Sequence, residues 1–408
     1  MNRKVTFCIL IVLLVISAAC NVAKTKGSDS TETISANLPW SVRLLETFRL
    51  THPGSVTYDE VIPKDKWSYE QGLMLVAFKK MYEKTGNENY LNFIKENIDR
   101  YVTEEGQIKT YDMENYNLDM ISTGRALLFL YEKTGEEKYK TAADSLRKQL
   151  ENQPRTDNGG FWHKQIYPYQ MWLDGLFMAE PFYALYTQQF EDGKNYDDVI
   201  HQFVTAYNFT VDENTGLLYH AWNENKELKW ADPETGKSPN VWGRAMGWYV
   251  MAIVDVLDIL PEDYAKRDTL ISILQKVSDS LLKYRDEETG LWYQIIDKGG
   301  QEGNYLESSC ATMFTYAFAK GANEGYLDTS YLDIAKHSFD EILKVHVTID
   351  ENGYVNLHNT CTGAGLGGDP YRDGSFEYYI SVPTATNDQK GFGPFIYAAI
   401  ELEKAGKI

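Results

Sequence analysis

Cysteine is scarce in this chain, with four among 408 residues. Cys8 and Cys20 lie at the extreme N-terminus, so only Cys310 and Cys361 remain for the body of the protein. A disulfide framework and a four-cysteine zinc site are thereby excluded. The two thiols could form one bridge or stay free and buried. Histidine is nearly as rare, seven residues scattered without paired spacing, so no metal site is expected. Basic residues are outnumbered 40 to 59, giving a net charge of −19. A surface this acidic does not offer the lysines and arginines that a phosphate backbone or an anionic lipid surface requires, which argues against nucleic acid as a partner. Gly-x-Ser-x-Gly, Walker and dinucleotide signatures are absent. The glycine-rich run Thr362-Gly-Ala-Gly-Leu-Gly-Gly368 is not followed by Lys-Ser/Thr and lacks a preceding βαβ context, and it reads as a tight loop. No cofactor is implied.

Long apolar runs are also missing, apart from Val5 to Ile16, which is too short to span a bilayer. It follows the basic Arg3-Lys4 and precedes Ser17-Ala-Ala-Cys20, the pattern of a signal peptide over residues 1–19. A cysteine placed after two alanines resembles a bacterial lipobox, so Cys20 is the candidate for lipidation. On this reading residues 20–37, rich in Ser, Thr and Lys, form a flexible tether. Residues 38–408 form one domain of an exported lipoprotein, periplasmic or surface-anchored, that meets the membrane only through its lipid.

What the chain has in quantity is helical periodicity with internal repetition. Met81-Tyr-Glu-Lys-Thr-Gly86 returns as Leu130-Tyr-Glu-Lys-Thr-Gly135, an offset of 49 residues. In both, glycine stands where a helix C-cap needs a left-handed residue, and an amphipathic segment follows. Weaker copies pair Leu173–Gln188 with Tyr196–Tyr207, Trp242–Ile259 with Tyr264–Leu282, and Ser308–Lys320 with Tyr331–Val345. The first member of each pair is apolar and rich in small residues; the second is amphipathic. Two concentric layers demand that division. With Trp40–Leu50 opening the outer layer and Phe395–Ala405 closing the inner one, the pattern predicts an all-α fold, an (α/α)6 barrel with short β pieces in its rim loops. Those pieces are Gly160–His163, Gly216–His220, Gly290–Gln294 and Gly353–Asn356. Aromatic residues make up 13% of the chain, enough to line a groove.

The residues able to do chemistry fall in these rim loops and at inner-helix starts. Asp174 begins an apolar helix beside Trp172. It could be an ordinary cap, but its apolar neighbours would raise its pKa toward general-acid use. Asp119 repeats the arrangement one hairpin earlier, and two carboxylates at an aromatic mouth suit glycoside chemistry. Arg244 and Trp248 stand four apart on one helix face, fitting a sugar stacked on the ring with its carboxylate on the guanidinium. His163, Lys164 and His220 add donors, so a cationic pocket for an anionic ligand is expected within an acidic protein.

Four segments resemble glycoside hydrolase family 105, the unsaturated rhamnogalacturonyl hydrolases, which are related to the unsaturated glucuronyl hydrolases of family 88. They are Trp67-Ser-Tyr-Glu-Gln-Gly72, Met171-Trp-Leu-Asp-Gly-Leu-Phe-Met-Ala179, Val241-Trp-Gly-Arg-Ala-Met-Gly-Trp248 and Gly368-Asp-Pro-Tyr-Arg-Asp-Gly-Ser-Phe-Glu-Tyr-Tyr379. The resemblance implies removal of a 4,5-unsaturated uronic acid, galacturonyl by this match, from the non-reducing end of lyase-generated oligosaccharides by hydration of C4=C5. It implies that Asp174 is the general acid and base and that Asp119 assists by holding ring hydroxyls. By the same matching, His220 and Arg244 orient the sugar, Trp242 and Trp248 stack on it, and Tyr69, His163, Lys164 and Trp172 complete the pocket. A glucuronyl hydrolase acting on ulvan or glycosaminoglycan fragments, a glycan-binding lipoprotein without turnover, and a conventional inverting glycosidase are the alternatives.

Overall fold

The inner and outer helices expected from the repeat form and alternate along the chain. The structure, a computed structural model, describes residues 32–56 and 66–408. The expected signal segment 1–19, Cys20 and the tether as far as residue 31 lie outside the described residues. Packing begins before the expected boundary at residue 38: Ile34 is buried and its N–H donates to Asn352 O at 2.8 Å.

Among the described residues there are thirteen α-helices. Six are inner: α2 (Tyr69–Thr85), α4 (Gly124–Thr134), α6 (Leu173–Phe190), α8 (Gly243–Leu257), α10 (Ser308–Asn323) and α13 (Gln389–Lys404). Each packs on the next, and α13 packs on α2, so the ring closes. Six are outer: α1 (Trp40–Thr51), α3 (Glu88–Asp99), α5 (Glu137–Asn152), α7 (Tyr196–Thr210), α9 (Arg267–Leu282) and α11 (Tyr331–Val345). The last, α12 (Phe376–Ser381), is a short rim element. The protein is thus an (α/α)6 barrel. Every residue of α8 is buried, whereas α5 buries only one stripe, as inner and outer layers require. Gly86 and Gly135 close α2 and α4 at φ of 67° and 69°, the left-handed conformation expected of them. The closing inner helix starts at Gln389, earlier than the apolar run suggested. Pro394 lies inside it, in the second turn, where its missing N–H leaves the Lys390 carbonyl without its intrahelical donor.

The rim loops carry three two-stranded ladders. β1 (Gln170–Trp172) pairs with β2 (Ala221–Asn223), β3 (Val347–Ile349) with β4 (Val355–Leu357), and β5 (Thr360–Cys361) with β6 (Thr384–Ala385), all antiparallel. Three rim turns share Asp-x-x-Thr-Gly: Asp212–Gly216, Asp232–Gly236 and Asp286–Gly290. In each the glycine N–H donates to the aspartate carbonyl, at 2.7 or 2.8 Å. The aspartate Oδ1 accepts a backbone N–H within the turn, an Asx turn that fixes the loop locally. Cys310 and Cys361 are free and buried.

Toward the C-terminal ends of α8 and α10 a buried ionic knot ties inner helices together. Asp255 Oδ2 meets Arg125 Nη1 at 3.1 Å, while Oδ1 takes Lys320 Nζ at 3.0 Å and the Tyr316 hydroxyl at 2.5 Å. These cations hold Asp255 well below the usual carboxylate range despite burial, which opposes it. Lys80 faces the same knot, its Nζ 5.4 Å and 5.5 Å from the Tyr316 and Tyr397 ring centroids. Burial first, then repulsion from Lys320, lowers its pKa to about 8. Lys80 therefore sheds its proton in the native state at lower pH than in the unfolded chain, and stability rises with pH between about 8 and the unfolded lysine value. Below that window the native state bears the cost of a charged Lys80. Lys80→Met is accordingly expected to raise the melting temperature at pH 7, and calorimetry across pH should show the gain shrinking as pH climbs from about 8 toward 10.

Candidate active site

Helix starts and rim ladders converge at one mouth of the barrel. The β1–β2 ladder sets Trp172 opposite Ala221, and Leu173 N–H donates to His220 O at 3.1 Å. That pairing brings His220 against the first turn of α6, where Asp174 is the second residue. His220 Nε2 lies 3.1 Å from Asp174 Oδ2. The two atoms face each other without hydrogen-bond alignment, so both remain buried and unpartnered. On the other side of the imidazole, Nδ1 meets the Tyr379 hydroxyl at 2.6 Å. Burial pushes the Tyr379 phenol well above its ordinary pKa, so it keeps its proton. In the tautomer in which the phenol donates to Nδ1, the ring N–H is on Nε2, toward Asp174.

Asp119 sits in a 3-10 turn, Leu118–Met120, just ahead of α4. It is not the cap there, because Asn117 takes that role by accepting Asp119 N–H at 3.1 Å. Leu118 N–H donates to His163 O at 3.1 Å, which draws the 163–164 loop onto the turn. Lys164 Nζ then reaches Asp119 Oδ2 at 2.5 Å, and His163 Nε2 stands 3.5 Å from Oδ1. Burial would raise the Asp119 pKa, but Lys164 and then His163 outweigh it and hold the carboxyl below its ordinary value. Asp119 is therefore ionised at neutral pH. Burial lowers His163 to about 4, so its ring is neutral there.

Arg244, on α8, is buried among polar groups from α10 and β5. Its Nε donates to Ser309 Oγ at 2.7 Å, and its Nη2 reaches Glu307 Oε1 at 3.4 Å and the Cys361 carbonyl. Glu307, with no exposure, also accepts the Cys361 N–H at 2.9 Å, the Cys310 N–H at 2.8 Å and the Ser309 hydroxyl at 2.7 Å. Burial lowers the Arg244 pKa and the surrounding groups, Glu307 among them, raise it further, so the guanidinium stays charged. Its Nη1 is buried without a partner.

These groups line a cavity of about 110 Å³. Asp119, His163, Lys164, Asp174 and Arg244 border it, with aromatic walls from Tyr69, Trp172, Trp242 and Trp248. Of the pocket residues expected from sequence, only His220 is not part of the lining, and it acts on the cavity through Asp174. Trp248 packs on Phe177 with centroids 4.6 Å apart, and Trp242 donates to Gln294 Oε1 at 3.1 Å. Both indoles are fixed before anything binds.

The expectation that Lys164, Arg244 and the histidines make the pocket cationic needs correcting. Lys164 is neutralised by Asp119 and Arg244 by Glu307, while His163 is uncharged. Sequence reasoning assigned no role to Glu307, Tyr379, Arg372 or Lys390. Lys390 and Arg372 also line the cavity. Glu307 had a signal available, an acid at the start of an apolar inner helix, the same pattern that drew attention to Asp119 and Asp174.

Comparison with known proteins shows the family and the fold. The family described as Glycosyl Hydrolase Family 88 matches residues 40–405. A solved family 105 glycoside hydrolase of C. acetobutylicum is 42% identical and superposes with a TM-score of 0.86, over 90% of this chain and 100% of that one. The unsaturated rhamnogalacturonyl hydrolase YesR of Bacillus subtilis is 28% identical over 296 residues, 71% of this chain and 78% of that protein. A 24.9 kDa protein in the picA locus of Rhizobium radiobacter is 36% identical over 230 residues, 55% of this chain and 97% of that one.

Glu307 satisfies two backbone N–H groups, a hydroxyl and a buried guanidinium at once, and a neutral amide cannot accept at both ends. Glu307→Gln is expected to cost about 3–5 kcal/mol in denaturant unfolding, the range for breaking a buried ion pair. A loss below about 1 kcal/mol, typical of an exposed pair, would show that Arg244 is held without it.

Proposed function

The chain belongs to glycoside hydrolase family 105, within the broader family 88 grouping, and is an unsaturated-uronyl type of glycoside hydrolase acting on an oligosaccharide; from that premise we propose that its substrate is an unsaturated galacturonyl residue at the non-reducing end of rhamnogalacturonan fragments. The name of the YesR relative supports that sugar.

The observation that carries the reading is the pair of buried, unpartnered atoms, Asp174 Oδ2 and His220 Nε2, 3.1 Å apart at the cavity wall. In the proposed reaction Asp174 gives a proton to C4 of the enol ether, and water adds at C5. The resulting hemiketal opens to a C5 ketone, its former ring oxygen becomes a hydroxyl on C1, and C1 then expels the adjoining sugar as an alcohol, leaving an aldehyde. One water is consumed. The carboxylate left on Asp174 has His220 Nε2 3.1 Å away, and a small realignment of the ring lets an Nε2–H donate to the charge that develops. Asp119, kept ionised by Lys164, accepts hydrogen bonds from ring hydroxyls and is unsuited to deliver the proton. Arg244 Nη1 is the donor for the sugar carboxylate, and Trp242 and Trp248 hold the ring.

This route consumes the conjugated double bond, so ultraviolet absorbance of the unsaturated uronate falls as product forms. A conventional glycosidase would leave it unchanged. Asp174→Asn should abolish the decay with the fold intact, a loss of at least about 10²-fold for a missing proton donor; retained decay would defeat the assignment. Lyase digests of rhamnogalacturonan, ulvan and glycosaminoglycan compared side by side distinguish galacturonyl from glucuronyl substrates.

The N-terminal pattern supports export and lipid anchoring through Cys20. Cys20→Ala is expected to move the protein from the membrane fraction to the soluble one, checked by fractionation and by the mass of the mature N-terminus.

A further inference from the structure

Every other lysine or arginine on the cavity wall already has a carboxylate. Lys164 has Asp119 at 2.5 Å, Arg244 has Glu307 at 3.4 Å, and Lys390 Nζ has Asp388 at 2.8 Å. Arg372 lines the same cavity, and among the described residues no acid pairs with it. Its guanidinium is held by neutral oxygens alone. Nε donates to Gly367 O at 2.8 Å, and Nη2 donates to the Tyr167 hydroxyl at 2.8 Å and to Leu366 O at 3.2 Å. Nη1 lies against Gly365, where an added Cβ would come within 2.3 Å of it. Alanine at 365 would therefore displace the guanidinium, and the glycine-rich run acts as its cradle.

The cradle is fixed from several directions. Gly367 and Arg372 exchange backbone hydrogen bonds at 2.8 and 3.1 Å, and Gly365 N–H donates to the Tyr378 hydroxyl at 3.0 Å. Next door, the Tyr371 hydroxyl accepts Trp230 N–H at 3.0 Å. Tyr167, whose hydroxyl accepts the hydrogen bond from Arg372, stacks on Trp172 with centroids 4.9 Å apart. A charged group immobilised by neutral acceptors, without a counter-ion, is arranged to receive an anion with little reorganisation.

Its place in the cavity says which part of a substrate that anion belongs to. Arg244 is 1% exposed and lies deep among Glu307, Ser309 and Cys361. Arg372 is half-buried on the β5–α12 loop, beside the exposed Tyr371. An unsaturated residue ends its chain, so it enters the deep end first, and the sugars that follow it pass the lip. Resting on the hydrolase reading above, we infer that Arg372, with the Tyr167 hydroxyl and the Gly363–Gly368 loop, forms an anion-recognition subsite for the leaving side of the cleaved bond, taking a sulfate ester on the adjoining sugar or the carboxylate of a uronyl residue beyond it.

Three substrates with the same unsaturated end test this: one followed by a plain rhamnosyl residue, one by a sulfated rhamnosyl residue, and one by rhamnosyl then uronate. The wild-type enzyme should turn over at least one anionic substrate with a kcat/KM about tenfold or more above the neutral one, the scale of a charge-assisted hydrogen bond. That preference should fall as salt is raised. Whichever anionic arm leads identifies the source. Arg372→Gln should raise KM on the preferred anionic substrate about tenfold more than on the neutral one, with Arg372→Lys intermediate because an ammonium cannot reproduce the fork. Equal losses on all three arms, or a wild type without anionic preference, overturn the subsite while turnover of the neutral substrate leaves the hydrolase reading standing. The wild-type arms decide the question even where a variant fails to fold. Turnover of none of the three overturns both.

Discussion

Glu307 is a carboxylate with no contact with water, and the geometry of the cavity floor depends on it. Its two oxygens gather the N-terminal turn of α10 through Cys310 and Ser309, the β5 strand through Cys361, and α8 through Arg244. A buried carboxylate without partners would be protonated or would unfold its surroundings. With two amides, a hydroxyl and a guanidinium around it, the charge is tolerated and three separate segments are locked in register. Arg244 is in consequence fully charged, dry and immobile, a state that side chain could not hold alone. Cys310 and Cys361 contribute here through their backbone N–H groups, a role that asks nothing of either thiol.

The same logic accounts for how an acidic protein can receive an anionic substrate. Net charge opposes the approach of a polyanion at long range, but the cavity is governed by local pairing. Lys164 and Asp119 neutralise each other, as do Arg244 and Glu307, and Lys390 and Asp388. Their role is to present directed donors and acceptors rather than bulk charge. A paired Asp119 stays ionised and accepting, and a paired Arg244 still has Nη1 to offer. Selectivity then arises from direction and desolvation, which salt screens less than surface attraction.

Much of the architecture was legible in the sequence because the signals were local. The Tyr-Glu-Lys-Thr-Gly repeat, the glycine caps at Gly86 and Gly135, and the contrast between apolar and amphipathic segments specify helices, hairpins and layers without reference to distant residues. The candidate pocket was legible for a second reason: its members lie at helix starts and rim loops, and four segments resemble a known family. What could not be read was pairing. Arg244 and Glu307 are 63 positions apart, Asp119 and Lys164 45 apart, so sequence could not say that these cations were already neutralised. Arg372 appeared within a recognised segment, but nothing local distinguishes a guanidinium held by carbonyls from one held by acids. The ambiguity between cap and catalyst was resolved differently at each acid. Glu307 caps α10, Asp388 caps α13, and Asn117 caps the turn that frees the Asp119 carboxylate. Asp174 is inside its helix and caps nothing.

That last placement bears on why the site is built at some cost. Asp174 Oδ2, His220 Nε2, His163 Nδ1 and Arg244 Nη1 are all buried without hydrogen-bond partners, each at a cost on the order of 1–3 kcal/mol. Each belongs to a residue on the cavity wall or touching it, and each is held in place by a partner on its far side. Tyr379 holds His220, Asp119 faces His163, Ser309 and Glu307 hold Arg244, and the β1–β2 ladder positions the helix start that carries Asp174. Relaxation that would satisfy these atoms internally is blocked by the contacts that orient them. Where such an atom belongs to a side chain that borders the cavity, as in Asp174 and Arg244, a ligand with complementary polar atoms can make the hydrogen bond that the free protein lacks. The barrel around them, closed by α13 on α2 and knotted by Asp255 at the far ends of its helices, supplies the rigidity that lets such a site persist.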